Sequence, residues 1–538
     1  MKSIRIITSI VFLILQFSNI THSQVIQDWV ARYSEFSKPN DGASDIISDK
    51  FGNVFVTGSS IRKGTNYDYV TIKYSSSGNV EWINRYNGPG NDDDISNAIL
   101  LDSVGNVYVT GSSFGSGSGF DIATIKYSPS GEELWVSRYT NSGNHRDAAY
   151  AIAIDDSNNL YVTGESYNLN RDYVTIKYNS QGIQQWIRFY NPGNYNDIAY
   201  SIAVDDSSNI YITGESLRDT ITFKDFATIK YNSNGTQIWS ARYNGSFNGD
   251  DFANSIGVDS LGNVYVSGSI EDQFHYGDYA TIKYNNSGML EWVRTYSGTA
   301  NFLDISKAMK VDKLGNSYIT GYSTEASEGY NFTTIKYNST GQRLWIAEYN
   351  NGLNDIGFAV DIDEKGNVYV TGQSDGNGTS DDFATIKYDS TGKQQWFMRY
   401  DFSGQFSDFA SAINVDHSGN VFVSGSSDRE YLTIKYSQLT QTGNEISELP
   451  KEYFLSQNYP NPFNPTTILK FGISKLGFVS LKVYDVLGNE VATLVNEKKN
   501  PGNYEVEFDE SSFSSGIYFY SLYVDGEQID TKRMILLK

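Results

Sequence analysis

The chain has 538 residues, a formal net charge of −22, 41 Tyr and no Cys. That length exceeds one ordinary hydrophobic core and suits a repeat domain followed by a smaller domain. The acidic balance argues against nucleic acid and anionic membranes as partners, because both need clustered Lys and Arg. The lack of Cys excludes disulfides, thiolate catalysis and thiolate metal sites.

The first residues are typical of a secretory signal peptide. Lys2 and Arg5 precede a mostly apolar run over residues 6–17, which is too short for a comfortable membrane span. The small residues Thr21 and Ser23 predict cleavage after Ser23. We therefore expect residues 1–23 to be removed and the mature chain to be exported without a transmembrane segment.

The next part of the chain, over residues 24–437, is an internal repeat. A Trp recurs every 51–53 residues, at Trp29, Trp82, Trp135, Trp186, Trp239, Trp292, Trp345 and Trp396. Each period also contains a Gly-Asn-Val-Tyr-Val-type segment, as at Asp259–Gly268, and a Thr-Ile-Lys-Tyr segment, as at residues 281–284. Eight copies at one period indicate a repeat architecture.

Each period predicts four β-strands, because it has four segments rich in Val, Ile, Thr, Tyr and Phe between turn residues. Both faces of these strands are apolar, as in Val264, Tyr265 and Val266, so each sheet needs cover on both sides. Neighbouring copies can provide that cover. The fold class we predict is all-β: an eight-bladed β-propeller of four-stranded antiparallel blades.

The order of the strands predicts how the ring closes. The repeats begin with a fourth strand near Val25–Tyr33 and end with a third strand at Tyr431–Tyr436. We therefore expect the N-terminal strand to pair with the last blade and remove an open edge. The period and the two strand motifs resemble the bacterial SBBP β-propeller repeat family, which implies a propeller on an exported protein and no single activity.

Composition changes after the repeats. Residues 438–452 are polar and predict a linker, and residues 453–538 contain short alternating strands. Val479, Leu481 and Val483 share one strand face, and Leu487–Asn489 predicts a hairpin turn. We expect a small Ig-like β-sandwich here.

This last segment resembles the type A C-terminal sorting domain of the type IX secretion system. The resemblance implies the secretion machinery as a partner and a secreted or surface-attached location at the outer membrane. The residues that match the two ends of the family pattern are Tyr459, Pro460, Asn461, Pro462, Lys532, Arg533 and Lys538.

An Asp opens the first strand of every copy. The functional interpretation is a carboxylate ring at one mouth of the axial channel, and the structural interpretation is that each Asp accepts backbone N–H bonds at a strand entry. Because the Asp recurs in every blade, the structural role is favoured. The residues are Asp41, Asp94, Asp147, Asp197, Asp251, Asp304, Asp355 and Asp408.

The residue pattern assigns no catalytic, cofactor-binding or metal-binding residue. The sequence lacks a Gly-x-Ser-x-Gly elbow and a phosphate-binding loop, and its scattered His suggest no shared site. Turn pairs such as Asp155 and Asp156 do not match an EF-hand loop, so we expect no cofactor and keep calcium as an alternative.

The loops that differ between copies are the second-to-third and fourth-to-first connections, which strand alternation places on one face. Variable loops on a rigid scaffold are where binding usually resides. Aromatic residues in these loops could stack on a ligand or close the blade tops: Tyr67, Phe120, Tyr167, Phe247, Phe274, Tyr276, Phe302 and Tyr330. We expect a surface protein that binds glycan or protein, with an extracellular polysaccharide-degrading enzyme and a purely structural surface protein as alternatives.

Overall fold

The computed structural model contains 39 β-strands in its described residues. It describes residues 25–35, 41–62, 66–141, 143–217, 223–274, 276–300, 302–325, 329–351, 354–375, 380–402, 407–438, 452–458, 461–463, 466–509 and 513–537. The predicted signal peptide therefore lies outside the described residues. The chain divides into two units, Met1–Leu439 and Thr440–Lys538.

The strands of the first unit form antiparallel groups of four, and a short parallel pairing of His145 and Arg146 with Gly119 and Phe120 joins two neighbouring groups into one sheet. The first strands of the groups are β2 (Gly42–Ser48), β6 (Asp94–Leu101), β10 (His145–Ile154), β14 (Asp197–Val204), β18 (Phe252–Val258), β22 (Ile305–Val311), β26 (Asp355–Ile362) and β30 (Phe409–Val415). The second strands are β3 (Val54–Ile61), β7 (Val107–Gly115), β11 (Leu160–Tyr167), β15 (Ile210–Leu217), β19 (Val264–Glu271), β23 (Ser317–Glu325), β27 (Val368–Asp375) and β31 (Val421–Ser427).

The outer half of each group holds the two remaining repeat landmarks. The third strands are β4 (Tyr67–Tyr74), β8 (Gly119–Tyr127), β12 (Arg171–Tyr178), β16 (Lys224–Tyr231), β20 (Gly277–Tyr284), β24 (Gly329–Tyr337), β28 (Asp381–Tyr388) and β32 (Glu430–Gln438). The fourth strands, each with a Trp, are β5 (Val80–Tyr86), β9 (Glu133–Tyr139), β13 (Gln184–Tyr190), β17 (Gln237–Tyr243), β21 (Leu290–Tyr296), β25 (Arg343–Tyr349), β29 (Gln394–Tyr400) and β1 (Val25–Tyr33).

We number the groups as blades 1 to 8, from β2–β5 to β30–β32 with β1. The first strand of each blade contacts the first strand of the next, and β2 contacts both β6 and β30. β1 pairs antiparallel with β32, from Val25 opposite Gln438 to Tyr33 opposite Tyr431. Arg32 Nε on β1 also lies 2.9 Å from Glu430 Oε2 on β32. This is a propeller-like fold of four-stranded antiparallel blades.

The recurring Asp and Asn of the first hairpin hold that hairpin together. Asp259 Oδ1 accepts N–H bonds from Leu261 and Asn263 at 2.9 Å each, and its Oδ2 accepts the Tyr265 hydroxyl at 3.1 Å. Gly262 has φ +76°, a conformation that favours glycine. Ser208 holds the same turn position in blade 4 with φ +58°, where a side chain is strained. The motif is therefore a self-contained turn.

The Trp and the Lys of each copy join a blade to its successor. The Trp292 indole N–H and the Lys283 ammonium both donate to the Ser339 carbonyl of the next blade, at 3.2 and 3.0 Å. The Trp292 ring lies 6.3 Å from the Tyr337 ring and also packs on Gly341, where an added Cβ would come within 2.8 Å of it. Blade contacts therefore combine aromatic packing with hydrogen bonds.

The second unit has two sheets around one hydrophobic core. One sheet has the order β33-β34-β37 and the other β36-β35-β38-β39. The strands are β33 (Phe454–Leu455), β34 (Thr466–Ile473), β35 (Gly477–Tyr484), β36 (Glu490–Lys499), β37 (Gly502–Asp509), β38 (Gly516–Val524) and β39 (Glu527–Leu536). Val479, Leu481 and Val483 are fully buried, in accord with their alternation.

Candidate functional site

The Asp at the start of each first strand fastens two loops together. Asp304 is fully buried and accepts N–H bonds from Gly298 at 2.9 Å and Thr324 at 2.8 Å. Gly298 lies in a fourth-to-first loop and Thr324 at the end of a second strand, so both loop classes lie at the same end of the blade. We call this end of the blades the variable face, and the end with the short hairpin turns the turn face.

All eight Asp side chains are buried, so they do not present an exposed ring of carboxylates. Burial raises the pKa of Asp94, Asp251 and Asp304 to about 6, and that of Asp197 to about 7. The pKa of each remaining member is also raised by burial: Asp41, Asp147, Asp355 and Asp408. Their geometry suits a structural anchor of the loops.

Asp197 is the exception among these anchors. Neither of its carboxylate oxygens accepts a geometrically satisfactory hydrogen bond from the described residues. The Leu217 N–H donates to the Asn196 carbonyl at 3.1 Å, whereas its counterparts in six blades donate to the Asp. Blade 7 also departs, since the Asp375 N–H donates to the Asn354 carbonyl at 3.0 Å, but there the Asp355 side chain accepts the Asn351 N–H at 2.8 Å. The Asp197 side chain is nevertheless fully buried.

The aromatic residues predicted for the variable loops divide into two sets. Phe247, Phe274 and Phe302 expose about half of their surface, at 53 %, 55 % and 49 %. Phe302 still contacts the Tyr276 ring at 5.1 Å. Three others contact a ring nearby: Phe120 that of Phe114, Tyr167 that of His145 and Tyr330 that of Tyr322. For Tyr67, the backbone N–H donates to Asp93 Oδ1 at 3.3 Å.

A site that the sequence did not reveal lies on the variable face of blades 3 and 4. Every first strand has a β-bulge three residues after its Asp, and in blades 3 and 4 the bulged residues are Tyr150 and Tyr200. Their rings lie 5.8 Å apart. Bulges commonly redirect a side chain near functional sites. The bulges therefore bring two tyrosines from neighbouring blades into contact.

A buried glutamate accompanies each tyrosine. The Tyr150 hydroxyl donates to Glu165 Oε1 at 2.9 Å, and Arg146 Nε donates to the same atom at 3.0 Å. Arg171 Nε lies 3.3 Å from Glu165 Oε2. The Glu165 side chain is 1 % exposed, whereas that of Arg171 is 47 % exposed. The buried Glu165 carboxylate is therefore paired with Arg146 and with Arg171, and the Arg171 side chain is accessible to solvent.

Blade 4 repeats this arrangement. Lys224 Nζ lies 2.9 Å from Glu215 Oε1, with the Glu215 side chain 3 % exposed and that of Lys224 32 %. Burial and the Glu215 carboxylate raise the pKa of Tyr200, as burial and Glu165 raise that of Tyr150. Lys224 Nζ also lies 4.9 Å from the centre of the Phe252 ring in blade 5. We call these two sets of three residues the tandem triads: Tyr150, Glu165 and Arg171 in blade 3, and Tyr200, Glu215 and Lys224 in blade 4.

The signal for the tandem triads is a departure from the repeat. The residue after the second-strand Gly is Glu165 or Glu215 in blades 3 and 4. In the other blades this position has Ser59, Ser112, Ser269, Tyr322, Gln373 and Ser426. The bulge position elsewhere has Ser44, Asn97, Asn254, Lys307, Phe358 and Ser411. Aligning the copies position by position would expose both differences.

The turn face has clefts between neighbouring blades. One of about 830 Å³ lies between blades 1 and 2 and is lined in part by Phe51 and Val104, which are 72 % and 71 % exposed. Asp155 on this face accepts bonds from its own hairpin, including the Tyr161 hydroxyl at 2.9 Å. Among the described residues no group of three or more His, Asp or Glu side chains could hold a metal ion.

In the second unit the two predicted parts of the sorting signal meet. Asn461 Nδ2 donates to the Arg533 carbonyl at 3.2 Å, and Asn461 Oδ1 accepts from the Ile535 N–H at 3.0 Å. Lys532 Nζ lies 2.9 Å from Asp530 Oδ2, and Pro462 follows Asn461 directly. Tyr459, Pro460 and Lys538 lie outside the described residues.

Comparison with known families accounts for both units. Residues 457–536 match the secretion system C-terminal sorting domain. The β-propeller repeat, SBBP, matches residues 81–117, 185–218, 238–272 and 344–378. The chain carries SBBP repeats and a type IX sorting domain. Both resemblances noted from the sequence are confirmed, and the sorting tail indicates export followed by surface attachment or secretion.

Individual relatives are distant. An uncharacterized WD repeat-containing protein of Acanthamoeba polyphaga mimivirus is 23 % identical over 66 % of this chain, which spans only 31 % of that protein. The crystal structure of Sqt1 from Chaetomium thermophilum shares 11 % identity over 76 % of this chain and 99 % of its own, with a TM-score of 0.53. The WD40 β-propeller domain of Doa1 has 10 % identity, coverage of 77 % and 98 %, and a TM-score of 0.41.

The likeness to Sqt1 concerns the fold alone and assigns no ligand. Among the described residues, no helix has the length and apolarity needed to cross a membrane.

Proposed function

We propose that this protein is an exported binding or scaffold protein whose variable face takes a glycan or protein ligand. The observation that carries the proposal is the pair of tandem triads. They place tyrosines, buried carboxylates and accessible cations together at one end of two neighbouring blades. Six other blades have different residues at these positions, so blade formation does not require the triads.

In this proposal residues 24–437 form a closed, eight-bladed propeller, residues 438–452 a linker and residues 453–538 an Ig-like sorting domain. The pairing of β1 with β32 supports closure. A bond from the Ser426 hydroxyl in blade 8 to the Asp41 carbonyl next to blade 1, at 3.0 Å, supports it as well. A closed ring would hold the variable loops at fixed separations, which suits binding.

The protonation of the tyrosines favours binding over catalysis. A tyrosine that abstracts a proton works best with a pKa near the operating pH. The pKa of Tyr150 is instead raised by burial and by Glu165, and its hydroxyl proton is donated to Glu165. The polysaccharide-degrading enzyme and the purely structural surface protein remain the alternatives.

Binding and turnover should be measured together on the predicted mature chain. We expect signal on a glycan or protein array and no turnover of the polymers that bind. A double variant, Tyr150→Phe with Tyr200→Phe, should weaken array binding without altering the circular dichroism spectrum. Turnover of a bound polymer would favour the enzyme, and silence on arrays and in turnover assays would favour the structural protein.

Export should depend on the sorting domain. Removing residues 453–538 should leave the propeller in the periplasm, because the remaining chain lacks the signal for passage across the outer membrane. Cell fractionation with an antibody against the propeller measures this, with the full chain as the control. Recovery of the truncated propeller outside the cell would contradict the sorting role.

A further inference from the structure

The tandem triads repeat in space as well as in sequence. The residues at equivalent positions of blades 3 and 4 are Tyr150 and Tyr200, Glu165 and Glu215, and Arg171 and Lys224. The two tyrosine rings, 5.8 Å apart, join the triads into one surface. Two like subsites on adjacent blades suit a ligand with like units in succession, as in a sugar chain.

Of the charged groups in the triads, the cations are accessible to a ligand and the carboxylates are not. The Glu165 and Glu215 side chains are 1 % and 3 % exposed, so they orient Arg171 and Lys224 from below. Arg171 pairs with Glu165 through Nε, at 3.3 Å from Oε2. A guanidinium held in this way presents a planar pair of donors that matches an oxyanion.

Aromatic surface lies beside these cations. The rings of Tyr150 and Tyr200 are partly exposed, and Phe252, which is 36 % exposed, lies next to Lys224. Apolar ring faces next to oriented charged donors are the usual composition of a small-ligand site. An acidic peptide would use the cations, but nothing in its backbone calls for two like tyrosine subsites.

We propose that the tandem triads bind an acidic sugar chain, with the oxyanion of successive units held by Arg171 and Lys224 and the sugar rings packed on Tyr150 and Tyr200. This inference rests on the proposed function and narrows it to one ligand class. A carboxylate and a sulfate ester share the required chemistry, so the experiment separates them.

The test is calorimetric titration of the predicted mature chain with three tetrasaccharides: tetragalacturonate, its fully methyl-esterified form and a sulfated neutral tetrasaccharide. We expect at least one anionic probe to bind about tenfold or more tightly than the ester, since charge-assisted hydrogen bonds are lost in the ester. A preference for tetragalacturonate assigns a carboxylate, and a preference for the sulfated probe assigns a sulfate.

Variants locate the binding on the triads. Arg171→Gln and Lys224→Gln should each weaken the preferred probe about tenfold or more. The control Lys365→Gln removes an exposed charge from the turn face and should leave affinity unchanged. Because each variant removes a cation paired with a buried glutamate, the melting temperature should fall. An unchanged circular dichroism spectrum at the titration temperature shows that the fold is intact.

Three results would overturn the proposal: equal binding of the ester and the anionic probes, unchanged affinity in both triad variants, or no binding of any probe. Binding of polyglutamate with no binding of the tetrasaccharides would also overturn it and assign an acidic peptide instead. In each of these cases the proposed function is tested separately, by array binding that depends on Tyr150 and Tyr200. If that binding is observed, the proposed function is supported even though the acidic sugar chain is excluded.

Discussion

The indole N–H of the recurring Trp has an acceptor in every blade except blade 7. Trp292 donates to Ser339 and Trp345 to Ser390, each a carbonyl in the next third-to-fourth turn. Trp396 of blade 7 is 6 % exposed, and its buried N–H has no acceptor in the part of the chain that the structure describes. The reason is topological, because blade 8 takes β1 as its fourth strand and so has no such turn.

This difference predicts unequal costs for the same substitution. Trp292→Phe should lower the free energy of unfolding by roughly 0.5–1.5 kcal/mol more than Trp396→Phe, because only Trp292 loses a hydrogen bond. Urea unfolding followed by circular dichroism measures both variants against the parent protein. Equal losses would contradict a role for the indole N–H in joining the blades.

Asp197 predicts a pH dependence of opposite sign to that of an ion-paired carboxylate. Burial raises its pKa to about 7, so the folded state holds a proton that the unfolded state releases near pH 4. Stability contributed by this group is therefore lost as pH rises from about 4 to about 7. Asp197→Asn should raise the urea midpoint at pH 8, and by less at pH 5.

Asp304→Asn is the matched control. Burial also raises the pKa of Asp304, to about 6, but Asp304 accepts two backbone N–H bonds and an amide can accept at one oxygen only. Asp304→Asn should therefore raise the midpoint at pH 8 by less than Asp197→Asn does. A lower midpoint for Asp197→Asn at pH 8 would show that its carboxylate is stabilised by contacts that outweigh burial.

At the scale of elements, β1 is the strand whose deletion should destabilise the fold most. It covers the edge of β32 and adds the Arg32 ion pair with Glu430. Deleting residues 24–36 should expose that edge and produce a lower melting temperature and aggregates in size-exclusion chromatography. The control Arg32→Gln keeps the strand and should remain monodisperse. Unchanged melting and solubility after the deletion would contradict closure by β1.

Strand content and pairing order were predictable from the sequence because each landmark has a local cause. The Asp259 turn bonds to its own hairpin, and the fourth-strand character of Val25–Tyr33 follows from Trp29 alone. The tandem triads were not predictable in the same way. Glu165 and Arg171 lie six residues apart, but Tyr150 belongs to another strand and a bulge decides where it points.

At the scale of the whole molecule, the two faces of the propeller differ in kind. Buried Asp anchors such as Asp94 hold loops of unequal sequence on the variable face. The turn face repeats one hairpin, although its exposed tips differ, as Phe51 and Leu314 show at 72 % and 80 % exposure. The two faces therefore present different side-chain chemistry, and the proposed ligand site lies on the variable face.

The most direct test of the account is a crystal structure or density map of the mature chain with a ligand selected on the arrays. The account predicts ligand density on the variable face of blades 3 and 4, within hydrogen-bond distance of Arg171 or Lys224 and against Tyr150 or Tyr200. Density confined to the turn-face clefts, such as the one lined by Phe51, would contradict it.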